Sequence, residues 1–246
     1  MQGRTNSCGA TLSTCKCNKC NDTGWVEVDP ATRTVAKCAC QKAREAEERM
    51  KRSGLEKALT TQTFDTFVAK TPLQSKMLAA GRGYLDAVLA SKGKPRRPWL
   101  YIGGNPGSGK THICTAICGE VLKSNVGVRY MQWLDESRRL KALVNDDDFA
   151  EYVEDYTNVE VLYIDDLLKQ KYTPNPTFSE ADIKVAFTIL NARYLRDLPT
   201  IISSEWDLTG QLLAADEGVF SRVYERCKGH TLCIERNPAN NYRLTA

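Results

Sequence analysis

Long hydrophobic runs are missing from this 246-residue chain. Its longest apolar stretches, such as Val159–Ile164, fall far short of the roughly 20 residues a membrane-spanning helix needs, so no membrane partner is expected. The N-terminus, Met1-Gln2-Gly3-Arg4-Thr5-Asn6-Ser7, has no apolar core of the secretory kind, and a cytoplasmic location is the expectation. Charge of one sign is also scarce. Thirty-four Lys and Arg against 30 Asp and Glu leave a net charge of +4, compatible with nucleic acid but too small to argue for it. Internal repeats and low-complexity tracts are absent. What remains is a chain of ordinary globular composition, 42% hydrophobic and 26% charged, long enough for one full domain and a small second one.

Cysteine, by contrast, is plentiful and unevenly placed. Six of the ten, Cys8, Cys15, Cys17, Cys20, Cys38 and Cys40, lie in the first forty residues. Disulfides are not expected in a cytosolic setting, so the cluster reads as a set of metal ligands. Two residues lie between Cys17 and Cys20, one lies between Cys38 and Cys40, and seventeen separate the pairs. That is close to the spacing of a four-cysteine zinc site. The segments Trp25–Val28 and Arg33–Ala36, joined at Asp29-Pro30-Ala31-Thr32, read as a hairpin that would bring the pairs together. Four thiolates close a tetrahedron and leave no position for a reacting water, so the zinc is expected to be structural. Cys15 is an alternative to Cys17, and an iron–sulfur cluster is an alternative occupant of the same ligands. The later cysteines, such as Cys114 and Cys118, sit among apolar residues and read as buried thiols.

Residues 1–14 are polar and expected to be disordered, 15–40 form the cysteine module, and 41–59 form a charged helical connector ended at Ser53-Gly54. From residue 60 to 246 strand and helix patterns alternate. Strands are expected at Trp99–Gly103, Val128–Trp133, Val159–Ile164, Thr200–Ser204 and Thr231–Glu235. Helices are expected at Lys110–Lys123, Leu134–Val144, Glu180–Leu195 and Val219–Cys227. The fold class is therefore α/β, with a five-stranded parallel sheet covered on both faces.

Between the first strand and the first of these helices stands Gly104-Asn105-Pro106-Gly107-Ser108-Gly109-Lys110-Thr111. Glycines at 104, 107 and 109 let the backbone N–H groups turn toward phosphate oxygens at a helix N-terminus. Lys110 is expected to reach the β- and γ-phosphates and Thr111 to ligate Mg²⁺. The strand Val159–Ile164 delivers Asp165 and Asp166 at its carboxyl end, where open α/β sheets bind ligands. Asp165 is expected on Mg²⁺, and Asp166 to orient or deprotonate the attacking water. No Asn-Lys-x-Asp guanine-reading motif is present, so ATP is expected rather than GTP.

These features together resemble the DnaC/DnaI-like bacterial helicase loaders of the AAA+ class, especially phage-encoded forms. The likeness covers nearly the whole chain. It runs through Cys17-Asn18-Lys19-Cys20, Ser53-Gly54-Leu55, Thr63-Phe64-Asp65-Thr66-Phe67, Ile164-Asp165-Asp166-Leu167, Pro199–Ser204 and Ser221-Arg222-Val223-Tyr224-Glu225. The resemblance implies an AAA+ ATPase that grips a replicative DnaB-type helicase through the cysteine module and delivers it to single-stranded DNA. It implies that Arg222 reaches the γ-phosphate of a neighbouring subunit in an ATP-bound homo-oligomer. It also implies a polar sensor at the end of the fourth strand. Glu205 stands there where many relatives carry Asn, which leaves Ser204 or Glu205 as candidates. Only eleven residues follow Glu235, so no separate C-terminal helical lid is expected, and Arg243 is a weak candidate for a second sensor. For DNA, the resemblance points to Arg138, Arg139 and Lys141, with Trp133 and Tyr130 as stacking aromatics, and to Lys169, Lys171 and Tyr172 as a second contact. Two other uses of the same core are a transposition helper ATPase of the IstB kind and a nucleotide-locked adaptor that does not hydrolyse ATP.

Overall fold

A computed structural model describes residues 17–50 and 56–245. Cys8, Cys15, the N-terminal 1–14 segment and the Ser53-Gly54 helix stop lie outside the described residues. The chain divides into two compact units, Met1–Gln41 and Lys42–Ala246.

In the first unit β1 (Trp25–Asp29) pairs antiparallel with β2 (Thr34–Lys37), with Trp25 opposite Lys37 and Val26 opposite Ala36. Asp29 makes the turn: its carboxylate accepts from the Ala31 amide at 2.9 Å and the Thr32 hydroxyl at 2.7 Å, the local bonding that suits Asp to turns. The Thr32 hydroxyl and then the Ala31 amide hold this carboxyl below its ordinary range. After β2 the chain enters α1 (Cys40–Met50).

The second unit, which takes in α1 from Lys42 onward, continues with α2 (Glu56–Thr61) and α3 (Pro72–Ala90). Helix α3 is not among the helices expected from the apolar pattern, yet its start is written locally. The Thr71 side chain accepts from the Gln74 amide, the Gln74 side chain accepts from the Thr71 amide at 2.9 Å, and Pro72 opens the first turn. Then follow β3 (Leu100–Gly104), α4 (Lys110–Lys123), β4 (Val128–Gln132), α5 (Trp133–Leu143), α6 (Phe149–Tyr152), α7 (Glu154–Asn158) and β5 (Val161–Asp165). The chain continues through α8 (Glu180–Leu195), β6 (Thr200–Ser203), a wide turn over Leu208–Leu212 running into α9 (Leu213–Ala215), α10 (Glu217–Arg226), β7 (Thr231–Ile234) and α11 (Tyr242–Thr245). All five strands expected from the sequence are present, each within two residues of its expected ends.

The sheet order is β4-β5-β6-β3-β7 and every pairing is parallel. Every residue of β3 and β5 is buried, as strands covered on both faces require. The pleat sends alternate side chains to opposite layers. Tyr101, Leu162, Ile164 and Ile202 pack with Leu140 of α5, Ile189 of α8 and Phe220 of α10. Leu100, Ile102, Tyr163 and Ile201 pack with Met77 of α3 and with Ile113 and Ile117 of α4. Both layers end at the carboxyl edge of the sheet, where the loop after β3 and the aspartates after β5 stand side by side.

Candidate functional site

The loop after β3 is built by backbone geometry that side chains would block. Gly104 has φ +99°, and a Cβ there would lie 1.9 Å from the carbonyl oxygen of Ile234 on the neighbouring strand. Gly107 has φ +72°, and a Cβ there would meet the Asn241 side chain at 2.1 Å. Both positions therefore require glycine. The Lys110 ammonium folds over the loop it follows, donating to the carbonyls of Gly104 at 2.9 Å and Asn105 at 2.8 Å. Burial pushes Lys110 below its ordinary range, while Asp166 and Glu205 pull it back toward the charged form.

Sheet register places the aspartates. Gln132 pairs with Asp165 and Ile164 with Ile202, so side chains from β4 and β6 converge on the end of β5. The Asp165 carboxylate, only 7% exposed, accepts from Tyr130 at 3.0 Å, Tyr163 at 2.6 Å, Ser203 at 2.5 Å and Thr111 at 3.2 Å. The bonds from Tyr130, expected from the sequence to stack on bases, and from Ser203 are not legible in the sequence, because they depend on strand neighbours distant in the chain. The Thr111 hydroxyl and the Asp165 carboxylate form a hard-oxygen pair of the kind Mg²⁺ selects, so the residues present fit that ion. Asp166 adopts φ +56°, which turns it away from the strand and into an ion pair with Lys169 at 2.8 Å.

The loop, Thr111 and Asp166 face a cavity of about 300 Å³, whose lining includes Pro106, Gly107, Lys110, Thr111, Asp166, Lys169 and Glu205. Gln62, Phe67, His112, Tyr242 and Arg243 also line it. The C-terminal tail thus reaches the loop directly, and the Tyr242 amide donates to the Gly107 carbonyl at 2.8 Å. Glu205 lines the cavity without facing it unpaired: Lys169 meets one carboxylate oxygen at 2.8 Å and Arg236 the other at 3.6 Å. The structure does not bring Ser204 to the cavity. Its hydroxyl is buried behind the strand end, donating to the Leu167 carbonyl at 2.9 Å and accepting from the Trp206 amide.

In the first unit the sulfurs of Cys17, Cys20, Cys38 and Cys40 all lie within 4.8 Å of one another. Cys17 approaches Cys38 to 3.7 Å and Cys20 approaches Cys40 to 3.5 Å. A tetrahedron with Zn–S bonds near 2.3 Å has edges of about 3.8 Å, so the four residues fit zinc. Amide N–H groups of Cys20 and Lys19 draw the Cys17 thiol down to about 6, whereas burial and the neighbouring cysteines push the Cys40 thiol up to about 12.

Comparison with known proteins agrees with this geometry. A family model described as "IstB-like ATP binding protein" matches residues 37–245. The chain belongs to this IstB-like ATP-binding family. Among relatives, protein YqaM of Bacillus subtilis (strain 168) is 29% identical over 211 residues, covering 84% of this chain and 66% of that protein. The phage-like element PBSX protein XkdC of the same organism is 33% identical over 145 residues, covering 57% of this chain and 52% of that protein. The chain therefore spans less than two thirds of the length of either relative. The solved DnaC helicase loader superposes with a TM-score of 0.55 at 22% identity, over 71% of this chain and 96% of that one. DnaI superposes with a TM-score of 0.56 at 22% identity, over 74% of this chain and 94% of that one. These neighbours share the fold of the larger unit, and the chain is an ATP-binding protein of the IstB-like family.

Other expected site residues of the IstB-like core lie apart from the cavity. Arg222 is absent from its lining; its guanidinium lies 5.6 Å from the Phe187 ring and 5.9 Å from the Tyr194 ring and donates to the Gly218 carbonyl. Arg138 and Arg139 are exposed on α5, Arg139 paired with Glu136 at 3.0 Å and Lys141 with Asp182 at 2.8 Å. The expected stacking role of Trp133 and Tyr130 is overturned. Trp133 is 2% exposed and Tyr130 5%, both are packed into the core, and no nucleic-acid base can reach them. In the loop after Asp166, Lys171 is exposed, whereas Tyr172 stacks on Trp206 at 5.7 Å and under the Arg236 guanidinium at 3.4 Å. No helix among the described residues is long and apolar enough to cross a membrane.

Proposed function

We propose that this protein is an ATP-switched loader that binds a replicative DnaB-type helicase and delivers it to single-stranded DNA. The observation that carries the reading is a phosphate loop that shares one cavity with Asp166 and bonds Asp165 through Thr111, on a chain that also holds a four-cysteine centre. The folds named DnaC helicase loader and DnaI support it.

In this reading the loop 104–111 cradles the ATP phosphates, and Lys110 leaves the Gly104 and Asn105 carbonyls to meet them. Thr111 and Asp165 would hold Mg²⁺, which supplies neutralisation of phosphate charge. Asp166 orients the attacking water. Arg222, outside its own cavity, completes that of a neighbouring copy in an ATP-bound assembly. Cys17, Cys20, Cys38 and Cys40 would hold a structural Zn²⁺, and residues 15–40 form the helicase-gripping module, linked by the 41–59 connector to an ATPase domain spanning 60–246. Arg138, with Arg139 and Lys141 beside it, offers the basic track for a DNA backbone.

The family model's own name favours a second reading, a transposition helper ATPase that coats DNA for a transposase. Co-purification with a hexameric replicative helicase separates the two. A stable complex lost on Cys20→Ser supports the loader. ATP-dependent coating of DNA with no helicase association supports the helper. ATP binding without turnover, even with DNA and helicase added, would leave a nucleotide-locked adaptor.

A further inference from the structure

Under the ATP reading, position 205 poses an electrostatic problem. A carboxylate at the end of β6, beside a second carboxylate at Asp166, borders the space a polyphosphate would fill. The structure answers it with one side chain: Lys169 lies between the two, 2.8 Å from Asp166 and 2.8 Å from Glu205. Arg236 meets the outer oxygen of Glu205, and the Glu205 side chain is only 13% exposed, so it is a fixed base for the lysine. We propose that Lys169 is the residue that meets the terminal phosphate of ATP, with the Lys169–Glu205 pair doing what an uncharged polar side chain at position 205 would otherwise do.

Two further observations support this assignment, which rests on the cavity being the ATP site. The first is charge. Among the lining residues three cations, Lys110, Lys169 and Arg243, face two carboxylates, Asp166 and Glu205. Without Lys169 the lining is neutral toward a ligand bearing several negative charges, and attraction at such short range is lost. The second is the backbone. Asp166 and Leu168 both adopt left-handed φ, +56° and +57°, a conformation that costs a leucine about 1 kcal/mol or more. The turn is held by Leu167 N–H to the Ser203 carbonyl at 2.9 Å, Ser204 to the Leu167 carbonyl at 2.9 Å, and the Trp206 indole to the Leu168 carbonyl at 2.8 Å. Leu167 and Leu168 are buried. The strained turn is thus clamped to the end of β6, and its product is the placement of Lys169 over Glu205. Burial opposes the charge on Lys169, but its hydrogen bonds to Asp166 and Glu205 outweigh this and raise it above its ordinary range.

The test compares ATP and ADP affinities of the full chain, with Mg²⁺, for wild type, Lys169→Met, Lys169→Arg and Glu205→Gln. A cation on the terminal phosphate distinguishes the two nucleotides. Lys169→Met should keep ADP affinity within about twofold while losing about tenfold or more in ATP affinity, the scale of one charge-assisted hydrogen bond. Lys169→Arg should restore part of the preference, and Glu205→Gln should lose part of it. Retained ADP binding shows that the variants are folded. An unchanged ATP-to-ADP affinity ratio in Lys169→Met would overturn the proposal. So would a rise in its basal turnover, which would make Lys169 a restraint on Asp166. Failure of the wild type to bind either nucleotide would instead remove the ATP site itself.

Discussion

The two adjacent aspartates, alike in sequence, should differ sharply when each is changed to asparagine. Asp165 is 7% exposed and accepts four hydrogen bonds from Thr111, Tyr130, Tyr163 and Ser203. Asparagine has one acceptor oxygen, so its Nδ2 must face one of these hydroxyls, and the remaining bonds lose their charge. At about 1 kcal/mol for each of four bonds that turns from charge-assisted to neutral, the loss is about 4 kcal/mol. Relief from burying a carboxylate returns part of this, leaving a destabilisation of about 2–3 kcal/mol. Asp166 instead makes an ion pair with Lys169 in which the two side chains are 29% and 36% exposed. Such pairs contribute about 0–1 kcal/mol, and asparagine tolerates the left-handed backbone. Urea unfolding followed by tryptophan fluorescence reads the difference, because Trp99, Trp133 and Trp206 are buried in the core of the larger unit while Trp25 is 47% exposed in the small unit. With a denaturant slope of about 2–3 kcal/mol per molar, Asp165→Asn should lower the midpoint by about 1 M and Asp166→Asn by less than about 0.4 M. Equal midpoints would refute the reasoning, since they would mean that the hydroxyls converging on Asp165 do not depend on its charge.

Asp166→Asn should bind ATP normally and hydrolyse it ~100-fold more slowly or worse, measured by phosphate release; wild-type turnover would move the water-handling role elsewhere. Lys110→Ala should lose most ATP affinity while remaining folded, and unchanged binding in a calorimetric titration would count against the phosphate-loop assignment. Elemental analysis should find about one zinc per chain, and Cys20→Ser should release it without altering ATP binding; iron with visible absorbance in anaerobically purified protein would contradict the zinc fit. Arg222→Ala should keep ATP affinity but lose the hydrolysis stimulated by DNA and helicase, an effect on the order of 1,000-fold in systems that use an arginine in trans. Mixing it with Lys110→Ala should restore part of the rate, and full activity of Arg222→Ala alone would leave that residue on the surface.

Local chemistry made the main features of this protein legible from its sequence. The loop 104–111 is a backbone-conformation code contained in eight consecutive residues, so its glycines, Lys110 and Thr111 could be read without knowing the fold. The five strands announced themselves as buried apolar runs, and the paired cysteines by spacing around a hairpin. Helix α3 escaped the apolar pattern, although Thr71, Pro72 and Gln74 mark its start locally. What tertiary structure alone decided concerns partners brought together by sheet register. Asp165 takes bonds from Tyr130, 35 residues away, and Ser203, 38 away; Lys169 meets Glu205 across 36 residues; Tyr242 closes on Gly107. The same packing withdrew Tyr130 and Trp133 from the surface and turned Ser204 behind the strand. A sequence states which groups can donate, accept or carry charge, but which of them meet is set by strand order and by the face each alternate residue takes, and those emerge only when the layers pack.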